Sequence, residues 1–338
     1  MARQLVKLAD LAASSVDSSK IVDGTIIAAD HADQSVTNIK LGTDTARLNL
    51  LTNGGFEVWQ RGNGPFTTSS TYFADRWWTA LAGTDTISIS RNTGVIDLRS
   101  NYSAACTFTL GTGAGGTGIV QTLKMAGDGY GLRTATVTFS VRVYGTVANA
   151  VRLGINPDGT GGGYTYSSYH TGSGAYETLT ITRALPGDMT TVNLAVFFAA
   201  SGSYYLDNAM LVVGSVPADY APLHPADDLN RCLRYYQRWD PDGLVGWGAT
   251  QTATLHLVII KHQAKFATAP SVTTGPVANL ALYINTMAGS NPPSAVSMNI
   301  AGLTESLLLV NTAAAFNTVG TAVYLRTATT WIALESNP

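Results

Sequence analysis

The chain has 338 residues, a hydrophobic fraction of 45% and a formal net charge of −2, enough apolar material for two or more folded units. Only 12% of its residues are charged, about half the usual share; glycine, threonine, serine, alanine and asparagine take their place, as suits β-structure with many turns. Near-neutrality gives no electrostatic reason to expect nucleic acid as a partner, and no apolar run approaches the length that inserts in a membrane.

The start, "MARQLVKLADLAASS", lacks the long apolar stretch of a signal peptide. Cys106 and Cys232 lie far apart in differently patterned segments. Two buried free thiols and synthesis in a reducing cytoplasm are expected, with a disulfide between them as the alternative.

Residues 1–48 form a first zone whose aliphatic positions fit neither the helical nor the strand period. "SVDSSKI" at 15–21 returns as "SVTNIKL" at 35–41. A segment this short seldom builds a core alone. Three copies wound about one axis would set each aliphatic position against its symmetry mates. The expected role is an intertwined homotrimeric stalk with Val16, Ile21, Ile26, Val36, Ile39 and Leu41 as the oligomerisation contacts. The alternative is a tail that orders on a partner.

A second zone, 49–223, opens with "NLLTNGGFEVWQRGNGPF" and closes with "SYYLDNAMLVVGSVPADYAPL". Strand-like runs ("DTISISR", "SAACTFTL", "IVQTLKM", "TATVTFSVRVYG", "YETLTITRAL", "TVNLAVFFA") alternate there with glycine-rich turns. Short strands at this spacing predict an antiparallel jelly-roll sandwich. A linker helix follows over 224–240: Leu229, Cys232, Leu233 and Tyr236 share a helical face, and Asp227 or Asp228 is placed to cap it. Residues 241–338 return to the β pattern as a smaller sandwich. The fold class is therefore mainly β, with stalk, jelly roll, short helix and C-terminal tip in that order.

The run "VDSSKIVDGTIIAADHADQSVTNIKLG" resembles repeats in the tail fibres and adsorption proteins of tailed bacteriophages. "LLTNGGFEVWQRG", "YFADRWW", "IVQTLKM", "YYLDNAMLVVGSVPADYAP" and "LNRCLRYYQRW" follow in an order similar to phage fibres with a carbohydrate-binding jelly roll. The resemblance covers the chain to about residue 275. It implies a receptor-binding protein in the virion tail, attached through its N-terminus to a tail or baseplate protein and contacting host polysaccharide or lipopolysaccharide. It also implies a possible structural calcium on Glu57 of the opening run and Asp207 of the closing run, hard oxygen ligands that suit this ion. Otherwise Glu57 is a surface residue and Asp207 bonds nearby backbone. No other cofactor is expected.

Sugar contact is expected from exposed aromatic rings beside hydroxyls and amides. "GGGYTYSSYHTG", read as a loop, offers Tyr164, Tyr166 and Tyr169, and "ADRWW" adds Trp78, one tryptophan of that pair filling the core while the other stays partly exposed. Packing on a neighbouring subunit is the competing role for these rings. Catalysis finds little footing: there is no G-x-S-x-G elbow, no zinc-spaced histidine pair, and no helix after the glycine run 111–118. The acidic candidates Glu57, Asp75, Asp128, Asp158, Glu177, Asp188 and Asp207 cannot be paired across a cleft from sequence. The expectation is a non-enzymatic adhesin. A structural tail or collar fibre and a polysaccharide depolymerase are the alternatives.

Overall fold

Alternating apolar residues and glycine-rich turns fold this chain almost wholly into antiparallel sheets. The computed structural model describes residues 48–241, 243–284, 290–313, 321–328 and 330–337, which belong to one compact unit. The expected stalk positions Val16, Ile21, Ile26, Val36, Ile39 and Leu41 lie outside the described residues.

Ten strands build the first sandwich: β1 (Trp78–Ala80), β2 (Thr86–Asn92), β3 (Ser103–Thr109), β4 (Thr117–Lys124), β5 (Thr136–Tyr144), β6 (Val151–Pro157), β7 (Thr165–Tyr169), β8 (Glu177–Ala184), β9 (Thr191–Phe198) and β10 (Gly202–Val213). They form two five-stranded sheets, β1-β4-β9-β6-β7 and β2-β3-β10-β5-β8, the layout of a jelly roll. Period-two alternation sends Ile119 and Leu123 of β4, Leu153 and Ile155 of β6, and Leu194, Val196 and Phe198 of β9 inward. There they meet Phe108, Phe139, Val141 and Leu206 of the facing sheet. The alternate residues of the first sheet face out, where Val120, Ala195 and Phe197 form a second, smaller apolar cluster with Trp78, Ala80 and Tyr164 packed against it.

Helix α1 (Pro225–Leu233) is capped by His224, whose Nδ1 accepts the Ala226 N–H at 3.3 Å. This corrects the expectation of an aspartate cap, because Asp228 is turned away to accept the Asn53 N–H at 2.9 Å. The helix is also shorter than the expected 224–240. Tyr236 leaves the helical face and enters β11 (Tyr236–Trp239), since pairing with the C-terminal strand outweighs the local helical period.

The second sandwich continues with β12 (Leu244–Thr252), β13 (Leu255–Lys261), β14 (Ser271–Thr274), β15 (Leu280–Ile284), β16 (Ser290–Asn291), β17 (Pro293–Ala301), β18 (Glu305–Thr312), β19 (Ala322–Thr327) and β20 (Ile332–Glu335). Its sheets run β11-β20-β14 and β16-β15-β19-β12-β13-β18-β17, around Val258, Ile260, Leu308, Val323, Leu325 and Leu334.

The segments "NGGFEVWQRG", "ADRWW" and "RYYQRW" meet where the two sandwiches join. Asn53, with a φ of 55°, uses its side chain to receive the Val58 N–H and to donate to the Val58 and Asp75 carbonyls. Arg61 bonds Asp75 at 3.0 Å and Glu335 at 2.9 Å while its guanidinium carbon sits 3.6 Å from the Tyr236 ring centre. Arg76, only 2% exposed, donates to the Thr122 carbonyl at 2.7 Å and lies 3.7 Å from the Tyr235 ring centre. Trp77 fills the core beside Phe56 at a ring separation of 5.0 Å, and Cys106 and Cys232 are both buried and free.

Arg76→Ala is expected to remove the stacked guanidinium and lower unfolding free energy by about 2–4 kcal/mol in urea titrations. Arg76→Lys keeps the charge without the planar fork, and should recover less than half of that loss.

Candidate functional site

Strand register assembles one row across the outer face of the first sheet: Trp78 of β1, Val120 of β4, Ala195 of β9, Gly154 of β6 and Tyr166 of β7 are successive neighbours. Four strand spacings separate its ends, roughly 19 Å. Aromatic rings stand at both edges, and the residues between them are small. The result is a shallow, aromatic-walled trough whose floor is buried: Val120 and Ala195 are 2% and 0% exposed, with Trp78, Ala80 and Tyr164 packed against them.

Its β7 side is an aromatic cluster. The Tyr164 and Tyr166 rings stack with centres 5.8 Å apart and an interplanar angle of 23°. Both meet Phe197 edge-on, at 4.8 and 5.6 Å. Glycine makes this possible. A Cβ on Gly154 would stand 2.8 Å from both the Phe197 and Tyr164 rings, and one on Gly118 would stand 3.1 Å from Phe197. Bare backbone lets the rings lie against the sheet.

The stretch expected to be a loop is thus the edge strand β7 after an ordered turn. Arg183 donates to the Ile155, Gly161 and Gly163 carbonyls, and Asn156 accepts the Gly163 N–H at 2.8 Å, so the turn leading into Tyr164 is pinned. One extra residue then enters β7, because Arg152 pairs with Tyr169 while Gly154 pairs with Tyr166. This bulge returns Tyr169 to the face of Tyr166. Arg152 lies under both rings, 3.7 Å from the Tyr166 centre and 5.1 Å from that of Tyr169.

A polar row runs beside the aromatic one. Trp78 Nε1 donates to Thr122 Oγ1 at 3.4 Å, and the Thr122 hydroxyl donates to Asn193 at 2.7 Å. Asn193 stands next to Asn156 in register. Burial, followed by the neighbouring Tyr166 phenol, pushes the Tyr164 phenol up to about 12, so it remains a neutral donor throughout the physiological range.

Tyr164, Tyr166 and Tyr169 therefore come together, and Trp78 shares their face from the far edge, half-buried. Sequence reasoning missed Phe197, Arg152, Asn156, Asn193 and Thr122. Alternation in "VRLGIN" and "TVNLAVFF" carried a faint signal for them, hidden in the second case by apolar residues on both faces.

No Asp or Glu occurs in the five strands of this sheet. The acidic candidates are engaged elsewhere. Asp75 is buried beneath Arg61 and Gln60; burial raises it to about 6 against their opposing pull. Asp128 pairs with Arg234 at 2.9 Å. Asp158 is held low by the Thr190 hydroxyl and the Thr191 and Thr190 amides, and Asp188 by the Thr160 hydroxyl and amide. Glu177 falls to about 2: burial opposes the shift, and bonds from Thr171 and Ser173 outweigh it.

Glu57 and Asp207 both grip the 97–102 loop. Glu57 accepts the Asn101 N–H at 2.7 Å and the Asn101 side-chain amide at 3.2 Å. Asp207 accepts the Asp97 N–H at 3.0 Å, the Ser100 hydroxyl at 2.8 Å and the Asn208 N–H at 2.8 Å. Calcium needs a cage of six to eight oxygens, whereas these carboxylates are ringed by hydrogen donors; the set does not fit the ion as placed. Among the described residues no group of three or more His, Cys, Asp or Glu is arranged to hold a metal. A cleft of about 220 Å³ nearby is lined by Asp97, Arg142, Asn208 and Tyr220, but its Arg142 and Asp97 already bond each other at 2.6 Å.

No protein-family model matches the chain, and no curated protein does. Solved structures with a similar fold include the enzymatically active domain of tailspike protein 4 of bacteriophage CBA120, at 13% identity and a TM-score of 0.35 over 49% of this chain. The CBM22-1 xylan-binding domain of Paenibacillus barcinonensis Xyn10C matches at 16% identity and 0.33 over 52%, and TmCBM61 in complex with β-1,4-galactotriose at 13% and 0.31 over 50%. The match spans 21% of the tailspike chain, 99% of the xylan-binding domain and all of TmCBM61 (100%). Fold and site together define a mainly β protein whose jelly roll carries an aromatic, carboxylate-free trough.

Burial raises Asp207 to about 7 despite the bonds from Asp97, Ser100 and Asn208. A raised carboxyl contributes stability at low pH that is lost as pH climbs through its folded pKa. The stability gap between wild type and Asp207→Asn should therefore move toward the variant from the ordinary carboxylate range up to pH about 7, with a limiting slope of about 1.4 kcal/mol per pH unit. A flat gap would show an ordinary carboxyl. Millimolar calcium is expected to leave the melting temperature unchanged.

Proposed function

We propose that this protein binds a cell-surface glycan in the trough of its jelly roll and does so without cutting it. The register-aligned row from Trp78 to Tyr166, with small residues between the aromatic edges, carries this reading. Stacked phenols offer flat apolar faces to pyranose rings, and the Asn156 and Asn193 amides lie beside them for sugar hydroxyls. The pinned 158–164 turn means that little ordering cost falls on binding. Absence of carboxylates from the five strands supports adhesion over glycoside hydrolysis, which needs an acidic pair across the sugar.

The finer reading is a homotrimeric tail fibre or receptor-binding protein of a tailed phage, with the N-terminal segment gripping a tail or baseplate protein. Three shallow sites on one particle compensate for weak individual contacts through high effective concentration. Self-association has a second support in the tip. Tyr283, Tyr324, Trp247, Ile259, Leu307 and Ile300 follow one another across the outer face of the seven-stranded sheet, with Trp247 46% and Ile300 61% exposed, an apolar band of the sort that subunits cover.

Tyr166→Ala should weaken binding to host surface polysaccharide by about tenfold or more in titration calorimetry, with the native fold retained by circular dichroism. Unchanged affinity would move the reading to a structural fibre, and released oligosaccharides to a depolymerase. Light scattering should give three times the 35.5 kDa chain mass; a monomer would remove the multivalent mechanism.

A further inference from the structure

Only two charged residues occur in the five strands of the trough sheet, and both are cations: Arg152 and Lys124. Several arginines of this sandwich find polar partners: Arg61 bonds Asp75 and Glu335, Arg142 bonds Asp97, and Arg183 holds three carbonyls. Arg91 and Arg152 have ring contacts instead, with Tyr102 and Tyr166. Among the described residues Arg152 makes no ion pair, and its Nε is buried with no hydrogen-bond partner. What holds it is the Tyr166 ring, 3.7 Å from its guanidinium carbon. Stacking fixes the guanidinium plane while leaving its N–H donors unused, and a buried donor left unpaired costs about 1–3 kcal/mol. Arg76 Nε is orphaned in the same way but lies inside the junction, whereas Arg152 is half-buried on the outer face, where a ligand can reach its remaining N–H donors.

The carboxylates closest in sequence to the trough strands do not offset this charge. Asp158 and Asp188, at the far end of β6 and before β9, have their oxygens bonded to threonine hydroxyls and amides. Arg152 sits instead at the Tyr169 end, beside Phe197 in register. Lys124 closes the outward positions of β4 as an exposed second cation. It lies at the opposite end of the sheet, paired with Thr191, whereas Arg152 neighbours Phe197 and, beyond it, Gly118, so Arg152 alone supplies charge from these strands at the Tyr169 end.

We propose that the glycan recognised by this trough is anionic, and that the Arg152 fork takes its carboxylate or phosphate while the neighbouring sugar ring stacks on Tyr166 and Tyr164. The proposal rests on the glycan-binding reading and names its substrate class. Two N–H donors of a fixed guanidinium match the two oxygens of a uronate or of a phosphate ester, a match that a lysine ammonium cannot reproduce. Arg152 is then the specificity residue, and the tyrosine pair supplies the affinity common to charged and neutral sugars.

The test is a panel of paired glycans titrated against the full chain: oligogalacturonate and alginate oligomers beside their carboxyl-reduced forms, and phosphomannan beside its dephosphorylated form. Wild type should bind at least one anionic member about tenfold more tightly than its neutral counterpart, with affinity falling as salt rises. Whichever pair shows the preference identifies the anion as uronate or phosphate. Arg152→Gln should abolish the anionic-over-neutral preference and its salt dependence, with the native fold confirmed by circular dichroism, and Arg152→Lys should restore only part of the preference. Equal affinity for both members of every pair would overturn the anionic assignment and leave the glycan reading standing. Binding to none of them, with native unfolding, would count against the glycan reading itself.

Discussion

Two guanidinium groups laid on adjacent tyrosine rings, Arg61 on Tyr236 and Arg76 on Tyr235, join the two sandwiches into one body. Each contact of this kind is worth up to about 2 kcal/mol when desolvated. Their larger effect is geometric. Arg61 also reaches Glu335 in the last strand of the tip, and Arg76 reaches the Thr122 carbonyl in β4. The same residues that close the jelly-roll core therefore fix where helix α1 ends and β11 begins. Asn53 and Arg76 accept left-handed backbone, φ 55° and 74°, to bring these groups to the junction. Strain of this sort persists only where the surroundings over-determine it, and the hydrogen bonds around Asn53 do that.

This arrangement explains a division of labour between neighbouring tryptophans. Trp77 donates its indole N–H to the Asn53 carbonyl at 2.9 Å and packs on Phe56. Trp78, one residue on, must face the other side of β1 by strand alternation. It borders the trough because its neighbour is committed to the core. The same logic extends across the sheet: inward positions of β4, β6 and β9 are bound by the core, so chemistry can vary only at outward ones. Those positions hold Thr122, Asn156, Asn193, Arg152 and Phe197, and no acid.

Low overall charge makes that face legible as a site. In a chain where 12% of residues are charged, most ionic groups are spent on structure: Asp75, Asp97, Asp207 and Asp228 each anchor a loop or helix. Asp75 and Asp207 shift upward because desolvation outweighs their bonds, whereas Asp158 and Glu177 shift downward because threonine and serine hydroxyls and backbone amides stabilise the ionised form. Neither set faces the trough. The outward face of the trough strands is aromatic, with amides and cations and no carboxylate.

The amino-acid pattern by itself determined the mainly β class, most strands of the first sandwich, and the tyrosine run at 164–169, since period-two alternation and glycine-marked turns are local properties. It misread "GGGYTYSSYHTG" as a loop, because an edge strand paired on one side needs little apolar alternation. It also drew the helix too long, because Tyr235 and Tyr236 answer to Arg76 and Arg61, distant in the chain. Only the tertiary structure decided that Trp78 and Tyr166 end one row, that Phe197 meets both tyrosines edge-on, and that Arg152 has no acidic partner among the described residues. Register among β1, β4, β9, β6 and β7 joins segments from 78 to 198, and which residues share a face across strands so distant in sequence is set by hydrogen-bond pairing, which no local period encodes.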